Sequence, residues 1–281
     1  MIGVLLLGGS GKRLKPISDV VNKHLLPVYN KPLVYYSLSV LFLLKVKKII
    51  LVTNRSDKKL FFKLLGNGKK YGVKFTYVIQ DKPKGIINAL SLTKKKIGKE
   101  NFILLLGDNF FYGNNFFLNL KKKISKLENS FIVCKEVSNP NKYGMLFKNK
   151  KKFYIKEKPK KISKEALAVT GLYFYKNNVL QYLNRIRKSK RNEYEISDLN
   201  NILLRLGLLD KYEIPRGNVW FDCGTISDFN NVGKFVEIIE NRQDLIISSL
   251  AEICYRNQWI DKKQLKKLAI NKKEIAYFSD L

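Results

Sequence analysis

Four short apolar runs, at residues 4–7, 48–53, 74–79 and 102–106, alternate with four helix-patterned stretches at 33–44, 57–65, 85–96 and 114–126. No other feature of the chain constrains its fold as much. Strands joined by helices run parallel, because each helix carries the chain back to the end of the sheet where the last strand began. The pattern therefore reads as an α/β fold: a Rossmann-like, mixed but mostly parallel sheet flanked by helices on both faces. Such sheets gather their ligands at the carboxyl ends of the strands.

From residue 131 onward the pattern is richer in short strands, at 131–137, 144–147, 153–157 and 168–175, joined by polar turns. These are expected to extend the sheet with mixed pairing and to close a pocket. Residues 195–206 and 227–240 read as amphipathic helices. The segment 245–281 is helical and separate in character, with Leu250, Ile253, Cys254 and Trp259 spaced to bury one face. The expected division is a main domain over 1–240 and a C-terminal helical extension over 241–281 packed on it.

The 281 residues, 45% of them hydrophobic, are ample for a full core. No apolar run approaches the ~18 residues of a membrane span, and residues 4–7 lack the basic flank of a signal peptide, so a cytoplasmic location and no membrane partner are expected. The three cysteines, Cys134, Cys223 and Cys254, are far apart and include no C-x-x-C, which suggests buried or incidental thiols.

The formal charge of +31 is large enough to raise the question of nucleic acid. Its distribution argues against a groove. Lysines fall at 47–48, 94–96, 121–123, 150–152 and 262–263, through every segment, with no basic tail and no arginine-rich helix. Lys, Asn, Ile, Phe and Tyr are plentiful and Ala is scarce, the bias of an A+T-rich coding sequence. No specific nucleic-acid partner is expected. Binding to nucleic acid should be weak, indifferent to sequence and steeply salt-dependent. A filter-binding series across salt checks this, and tight selective binding at physiological salt would contradict it.

The turn after the first run reads Gly8-Gly9-Ser10-Gly11-Lys12-Arg13, with Lys23 beyond it. Glycines there permit positive φ and let backbone N–H groups close in on phosphate oxygens. Lys12, Arg13 and Lys23 add charge-assisted hydrogen bonds to a polyanion, Arg13 as a planar fork. The spacing excludes the commoner glycine loops. A Walker A loop needs Gly where Leu6 stands and Ser or Thr where Arg13 stands. A dinucleotide fingerprint counted from Gly9 needs Gly at Leu14, and a nucleophile elbow at Ser10 needs Gly at Lys12. His24 is the single histidine, which leaves little room for a Ser-His-Asp triad.

Asp108, in GDNFFYG, follows the run 102–106, and Asp222 lies in WFDCGT. A carboxylate at a strand end suits Mg²⁺, which takes oxygen ligands and shares its shell with substrate phosphates. An Asp-Asn pair equally suits a turn that caps the next helix. Two aspartates around one metal would polarise the α-phosphorus of a nucleoside triphosphate. Their separation in sequence leaves open whether they meet.

These segments resemble a known family. Residues 8–16 (GGSGKRLKP) and 23–27 (KHLLP) are similar to the opening signature of the sugar-1-phosphate nucleotidylyltransferases, G-G-x-G-x-R-L-x-P followed by K-x-L-L-P. GDNFFYG and WFDCGT resemble the G-D-N-x-F-x-G and W-x-D-T-G-T motifs of the glucose-1-phosphate thymidylyltransferases, and AVTGLYFY, EYEISDLN and YRNQWID are similar to that family's text. The likeness spans residues 2–261. It implies the nucleotide-diphospho-sugar transferase type of fold and the reaction of dTTP with glucose 1-phosphate to give dTDP-glucose and pyrophosphate. The sugar phosphate oxygen would attack the α-phosphorus in line, so positioning and charge stabilisation do the catalysis.

Position by position, the resemblance assigns Gly8, Gly11 and Arg13 to the triphosphate and Lys23 to the phosphates at the reacting centre. It assigns Gln80 and Gly85 to the pyrimidine edge, Asp108 and Asp222 to Mg²⁺, and Gly144, Glu157, Lys158 and Val169 to the sugar phosphate. An amide at Gln80 would donate and accept together, yet it does not separate thymine from uracil, so a sister enzyme using UTP or another hexose 1-phosphate is the alternative. Leu7 replaces the pattern's Ala, Lys12 its Thr, His24 and Asn88 its Gln, and Cys223 its Thr. Leu7 is expected to crowd the base pocket, Lys12 to face phosphate, and His24 to contact base or sugar. For the tail, the resemblance implies a homotetramer inhibited at a separate site by dTDP-rhamnose, with Arg256 in that site.

Overall fold

The computed structural model describes all residues except Ser10, Pro83, Lys151, 161–165, Lys190, Arg191, Ile270 and Asn271, and the side chain of Asn114. Strand β1 (Ile2–Leu6) is buried along its whole length. Successive side chains of a strand point to opposite faces. Ile2, Val4 and Leu6 therefore enter one apolar cluster, while Leu5 and the following Leu7 enter another.

A hairpin of two short strands, β2 (Pro27–Val28) and β3 (Lys31–Pro32), leads into helix α1 (Leu33–Leu43). Its sequence, LVYYSLSVLFL, is apolar on all sides and is buried from Leu33 to Phe42, as such a helix must be. β4 (Lys48–Thr53), α2 (Lys58–Leu65), β5 (Lys74–Ile79), α3 (Ile86–Ile97) and β6 (Phe102–Leu106) complete the alternating half. β1 pairs in parallel with β4 and β6, and β4 with β5. The expected parallel sheet is present, with α1 and α2 on the Leu5 face and α3 on the Val4 face.

The chain then leaves the sheet in β7 (Asn109–Tyr112) and turns through α4 (Asn114–Ser125) into β8 (Ser130–Lys135), β9 (Gly144–Asn149), β10 (Lys152–Glu157) and β11 (Leu167–Tyr175). β11 lies antiparallel to β6, β8 and β9, which gives the order β10-β9-β11-β6-β1-β4-β5 with β8 attached at β11. Helix α5 (Ile196–Arg205) packs against β10, and β12 (Leu209–Glu213) pairs in parallel with β8. β13 (Val219–Asp222) returns to pair antiparallel with β7 in a separate two-stranded ribbon. Helix α6 (Ile226–Gln243) follows, started by a capping box between Thr225 and Asp228.

β7, β12 and β13 escape the sequence reading. The first and last are four-residue strands beside turn residues, and β12 carries charged, exposed residues along an edge. Asp108 also caps no helix, since the chain enters β7 directly after it.

The tail forms α7 (Leu250–Arg256), α8 (Lys262–Lys267) and α9 (Lys272–Asp280). α7 lies on α1, and Leu250, Ala251 and Cys254 join the core beneath it. Trp259 is not on the α7 stripe, as its spacing suggests, but in the turn after the helix. There it meets Phe42 edge-on with ring centres 5.6 Å apart, and the Lys47 ammonium lies 5.4 Å from its ring. A buried ion pair joins Lys31 of β3 to Glu240 of α6 at 3.1 Å, and Glu240 Oε1 also accepts the Ile247 N–H at 2.9 Å. All three cysteines are buried and free. No described helix is long and apolar enough to cross a membrane.

Candidate active site

At the carboxyl end of β1 the chain turns through Gly8 and Gly9 to Gly11, whose φ of +54° is left-handed; Ser10 lies outside the described residues. Gly11 is required sterically as well, since a Cβ there would sit 2.8 Å from Ser18 Cβ. A 3₁₀ turn (Lys12–Leu14) follows, anchored by buried Leu14 and by hydrogen bonds from Leu14 N–H and Ser18 Oγ to the Gly11 carbonyl. It sets Lys12 and Arg13 on the rim of the cleft. The Arg13 guanidinium reaches across to Gly224 and stands 3.9 Å from Asp222 Oδ2.

A second 3₁₀ turn (Lys23–Leu25) is capped by Asn22. Asn22 Nδ2 donates to the Leu7 carbonyl at 3.0 Å and to Asp57 at 2.7 Å, while its Oδ1 meets His24 N–H and Nδ1 at 2.9 and 2.8 Å. That network holds Lys23 against Asp108, with Nζ donating to Oδ2. His24 is buried. Desolvation first, then the neighbouring Lys23 charge, lowers its pKa to about 3, so the imidazole is neutral and contributes polarity rather than charge.

Asp108 follows β6, and Asp222 ends β13; pairing of Asp222 with Asn109 across the ribbon brings the two carboxylates side by side. The Asp108 carbonyl accepts the Cys223 N–H at 2.8 Å, which clamps the two motifs together. Asn109 locks the junction: its Nδ2 donates to Asp108 Oδ1, and its Oδ1 accepts from Gly171 N–H at 2.8 Å and Trp220 Nε1 at 2.7 Å. Only glycine fits at 171, because a Cβ would lie 2.5 Å from Asn109 Nδ2.

Burial pushes the Asp222 carboxyl above the usual carboxylate range, and the Asp108 charge pushes it the same way. Burial also works to raise Asp108, but the Lys23 ammonium outweighs it with help from His24 and from hydrogen bonds of Lys23 and Asn109, so Asp108 is held below that range. The site thus has one carboxylate neutralised by a lysine and a second that is short of positive charge.

Two cavities meet here. The larger, of about 430 Å³, is lined by Gly8, Gly9, Gly11, Lys12, Arg13, Lys23, His24, Gln80, Gly85 and Lys158. The smaller, of about 200 Å³, is lined by Gly144, Val169, Gly171, Tyr173, Ser197, Asn200, Trp220 and Asp222. Arg13, Asp108 and Glu157 line both. Every catalytic, substrate-binding and metal residue named from the sequence, from Gly8 to Asp222, lies on one wall or the other.

Three details were not foreseen. Leu7 does not crowd the larger cavity: it shares the parity of Leu5 and is wholly buried in the core, and Leu6 takes the place on the wall. Gln80 does not offer donor and acceptor together, because Nε2 is spent on the Gly85 carbonyl at 3.2 Å and Asn88 Oδ1 at 2.9 Å. Oε1 is left facing the loop beside Gly8. Lys158 adopts a left-handed φ of +46°, its N–H donating to the Tyr143 carbonyl at 3.0 Å. Asn22, Asn109, Ser197, Asn200 and Trp220 are further site residues that the sequence reading left without a role. Asn109 and Trp220 stood inside motifs already singled out, and Ser197 and Asn200 are three apart on one helix face.

Residues 2–238 match the family model described as nucleotidyl transferase. The chain belongs to the nucleotidyl transferase family. Within it, the chain is 40% identical over 271 residues to the glucose-1-phosphate thymidylyltransferase of Neisseria meningitidis serogroup A, covering 96% of this chain and 94% of that protein. A crystal structure of a Bacillus anthracis protein, described as a glucose-1-phosphate thymidylyltransferase in complex with a sucrose, superposes with a TM-score of 0.75 at 33% identity, over 84% of this chain and 95% of that one. UDP-glucose pyrophosphorylase complexed with UDP-glucose shares the fold, with a TM-score of 0.74 at 21% identity, over 84% and 98%.

Proposed function

We propose that this nucleotidyltransferase transfers a thymidylyl group from dTTP to glucose 1-phosphate, releasing pyrophosphate. The observation that carries the reading is the meeting of two unlike cavities at Arg13 and Asp108. The larger has a phosphate loop, four cations and an amide for a base. The smaller has Glu157 held by Ser197 Oγ at 2.8 Å, a carboxylate suited to sugar hydroxyls. The thymidylyltransferase names of relatives aligned over nearly the whole chain support the same pair of substrates.

Asp108 and Asp222 suit Mg²⁺. They are neighbouring, largely buried carboxylates, one bonded to Lys23 and the other beside Arg13, and among the described residues no third His, Cys, Asp or Glu joins them. The rest of an oxygen shell is then left to substrate phosphates and water, as Mg²⁺ prefers. The ion would neutralise the triphosphate and polarise its α-phosphorus. Loop amides and Arg13 hold the triphosphate, Lys23 stabilises charge at the reacting phosphate, Lys158 takes the phosphate of the sugar, and Glu157 orients the ring. The sugar phosphate oxygen then attacks in line and pyrophosphate leaves. A matrix of nucleoside triphosphates against sugar 1-phosphates, read by pyrophosphate release, tests this; turnover absent with dTTP and glucose 1-phosphate would overturn it.

Gln80 Oε1 is a bare acceptor, which pairs with the N3–H of thymine and equally of uracil. UTP is therefore the second reading for the nucleotide. Cytosine presents an unprotonated N3 to the same oxygen. Turnover with dCTP should fall about a hundredfold below that with dTTP in the same assay.

We also propose that the main domain ends near residue 240, that the chain acts in the cytoplasm, and that the extension over 241–281 supports a homotetramer inhibited by dTDP-rhamnose. Arg256 is largely exposed and donates to Glu252 Oε1 at 2.7 Å, an oxygen that also accepts from the Tyr277 hydroxyl. Arg256→Ala should lose inhibition before activity. Light scattering that finds a monomer, or competitive inhibition unchanged by the substitution, would confine the tail to packing.

A further inference from the structure

Helix α5 presents Ile196, Ser197 and Asn200 to the smaller cavity. Asn200 is wholly buried, and its Oδ1 accepts a 2.6 Å hydrogen bond from the Tyr175 hydroxyl. Tyr175 is itself held by a parallel stack with Tyr173, ring centres 5.9 Å apart, and Tyr173 lines the same cavity. The Tyr175 bond fixes which end of the amide points where. The other end, Nδ2, is buried and has no hydrogen-bond partner among the described residues. Folded proteins rarely leave such a donor unmet. Thr53 Oγ1 and Asn54 Oδ1 share that condition, but they sit at the end of β4 and line neither cavity, so among the described residues only Asn200 joins an unmet polar group to a binding wall.

We propose that Asn200 is a sugar-recognition residue, its Nδ2 donating to one hydroxyl oxygen of the bound sugar phosphate, directly or across a single ordered water. The proposal rests on the smaller cavity being the sugar side of the reaction proposed above. It makes the site selective for a hydroxylated ring, since a substrate lacking that oxygen leaves the amide buried and unpaired.

The experiment compares kcat/KM for glucose 1-phosphate and its 2-, 3-, 4- and 6-deoxy analogues in the full chain and in Asn200→Leu. In the native chain one analogue should fall ~10- to 100-fold below glucose 1-phosphate through loss of this bond. Asn200→Leu should lose a similar factor on glucose 1-phosphate and no longer distinguish that one analogue, while the order of the others is unchanged. An equal loss on all five substrates would overturn the proposal. Because Leu leaves the Tyr175 hydroxyl unpaired, the double variant Asn200→Leu with Tyr175→Phe removes both polar partners and protects the fold, as thermal melting reports. It must show the same pattern. A native chain that releases no pyrophosphate with glucose 1-phosphate overturns the substrate reading instead, whereas a uniform loss in the variants removes only the role of Asn200.

Discussion

Asp222→Asn and Asp108→Asn should each cut Mg²⁺-dependent turnover about a hundredfold, the effect of losing one charged contact at a transition-state phosphate. Their effects on stability should differ in sign. Asp222 is the carboxylate that burial and the Asp108 charge both disfavour; Lys23, the cation that acts on it most, is bonded to Asp108 instead, and Arg13 stands 3.9 Å away. Making it neutral relieves the folded state, so Asp222→Asn should melt at or above the native temperature. Asp108 is the partner of Lys23. Its neutralisation leaves that ammonium without a counter-charge, and Asp108→Asn should melt lower. Pyrophosphate release and thermal melting on the same samples check both. Native rates in either variant would remove that aspartate from the mechanism.

Lys31→Met should be strongly damaging although it lies away from the cleft, at about 3 kcal/mol, because it takes the nearer cation from a buried carboxylate and leaves only Lys273, at 3.9 Å. Lys31 and Glu240 are both almost fully buried. Burial pulls the Lys31 pKa down, and the Glu240 charge restores it only in part, so the pair is held by geometry more than by a net electrostatic gain. Glu240 also accepts from Asn30 Nδ2 at 3.0 Å and from the Ile247 N–H, so it joins the β2–β3 hairpin, α6 and the chain entering the tail. Adding Glu240→Gln to Lys31→Met removes the stranded charge while keeping an acceptor for Ile247. The double variant should regain most of the loss by denaturant melting. If both variants melt like the native chain, the ion pair does not hold the tail.

The parallel half of the sheet was legible because its signals are local: apolar runs of strand length and helical spacing between them. The identity of the cleft was legible because its glycines, cations and aspartates lie in compact motifs. What brings those motifs together was not, since Asn109 faces Asp222 only through a ribbon of two short strands that resemble loops in isolation. Leu7 was misplaced because its neighbours in sequence are loop glycines, although its parity with Leu5 points it into the core. Glu240 carried a signal that went unread. It continues the buried stripe of Phe229, Val232 and Val236 on α6, whereas Glu237 on the same helix is exposed. The unmet amide of Asn200 had no signature in sequence, because it depends on Tyr175 reaching across from β11 to α5.

Helix α1 is apolar on every side, and one of those sides is covered by α7, far along the chain. During synthesis the helix therefore waits for about 200 further residues, roughly 10–40 s at ordinary elongation rates, before its cover emerges. For that interval the nascent chain carries a sticky surface near its amino end. The same tail that closes the finished molecule should thus leave the unfinished one open to holding chaperones, and its yield in a cell is expected to follow how quickly translation reaches the last helices.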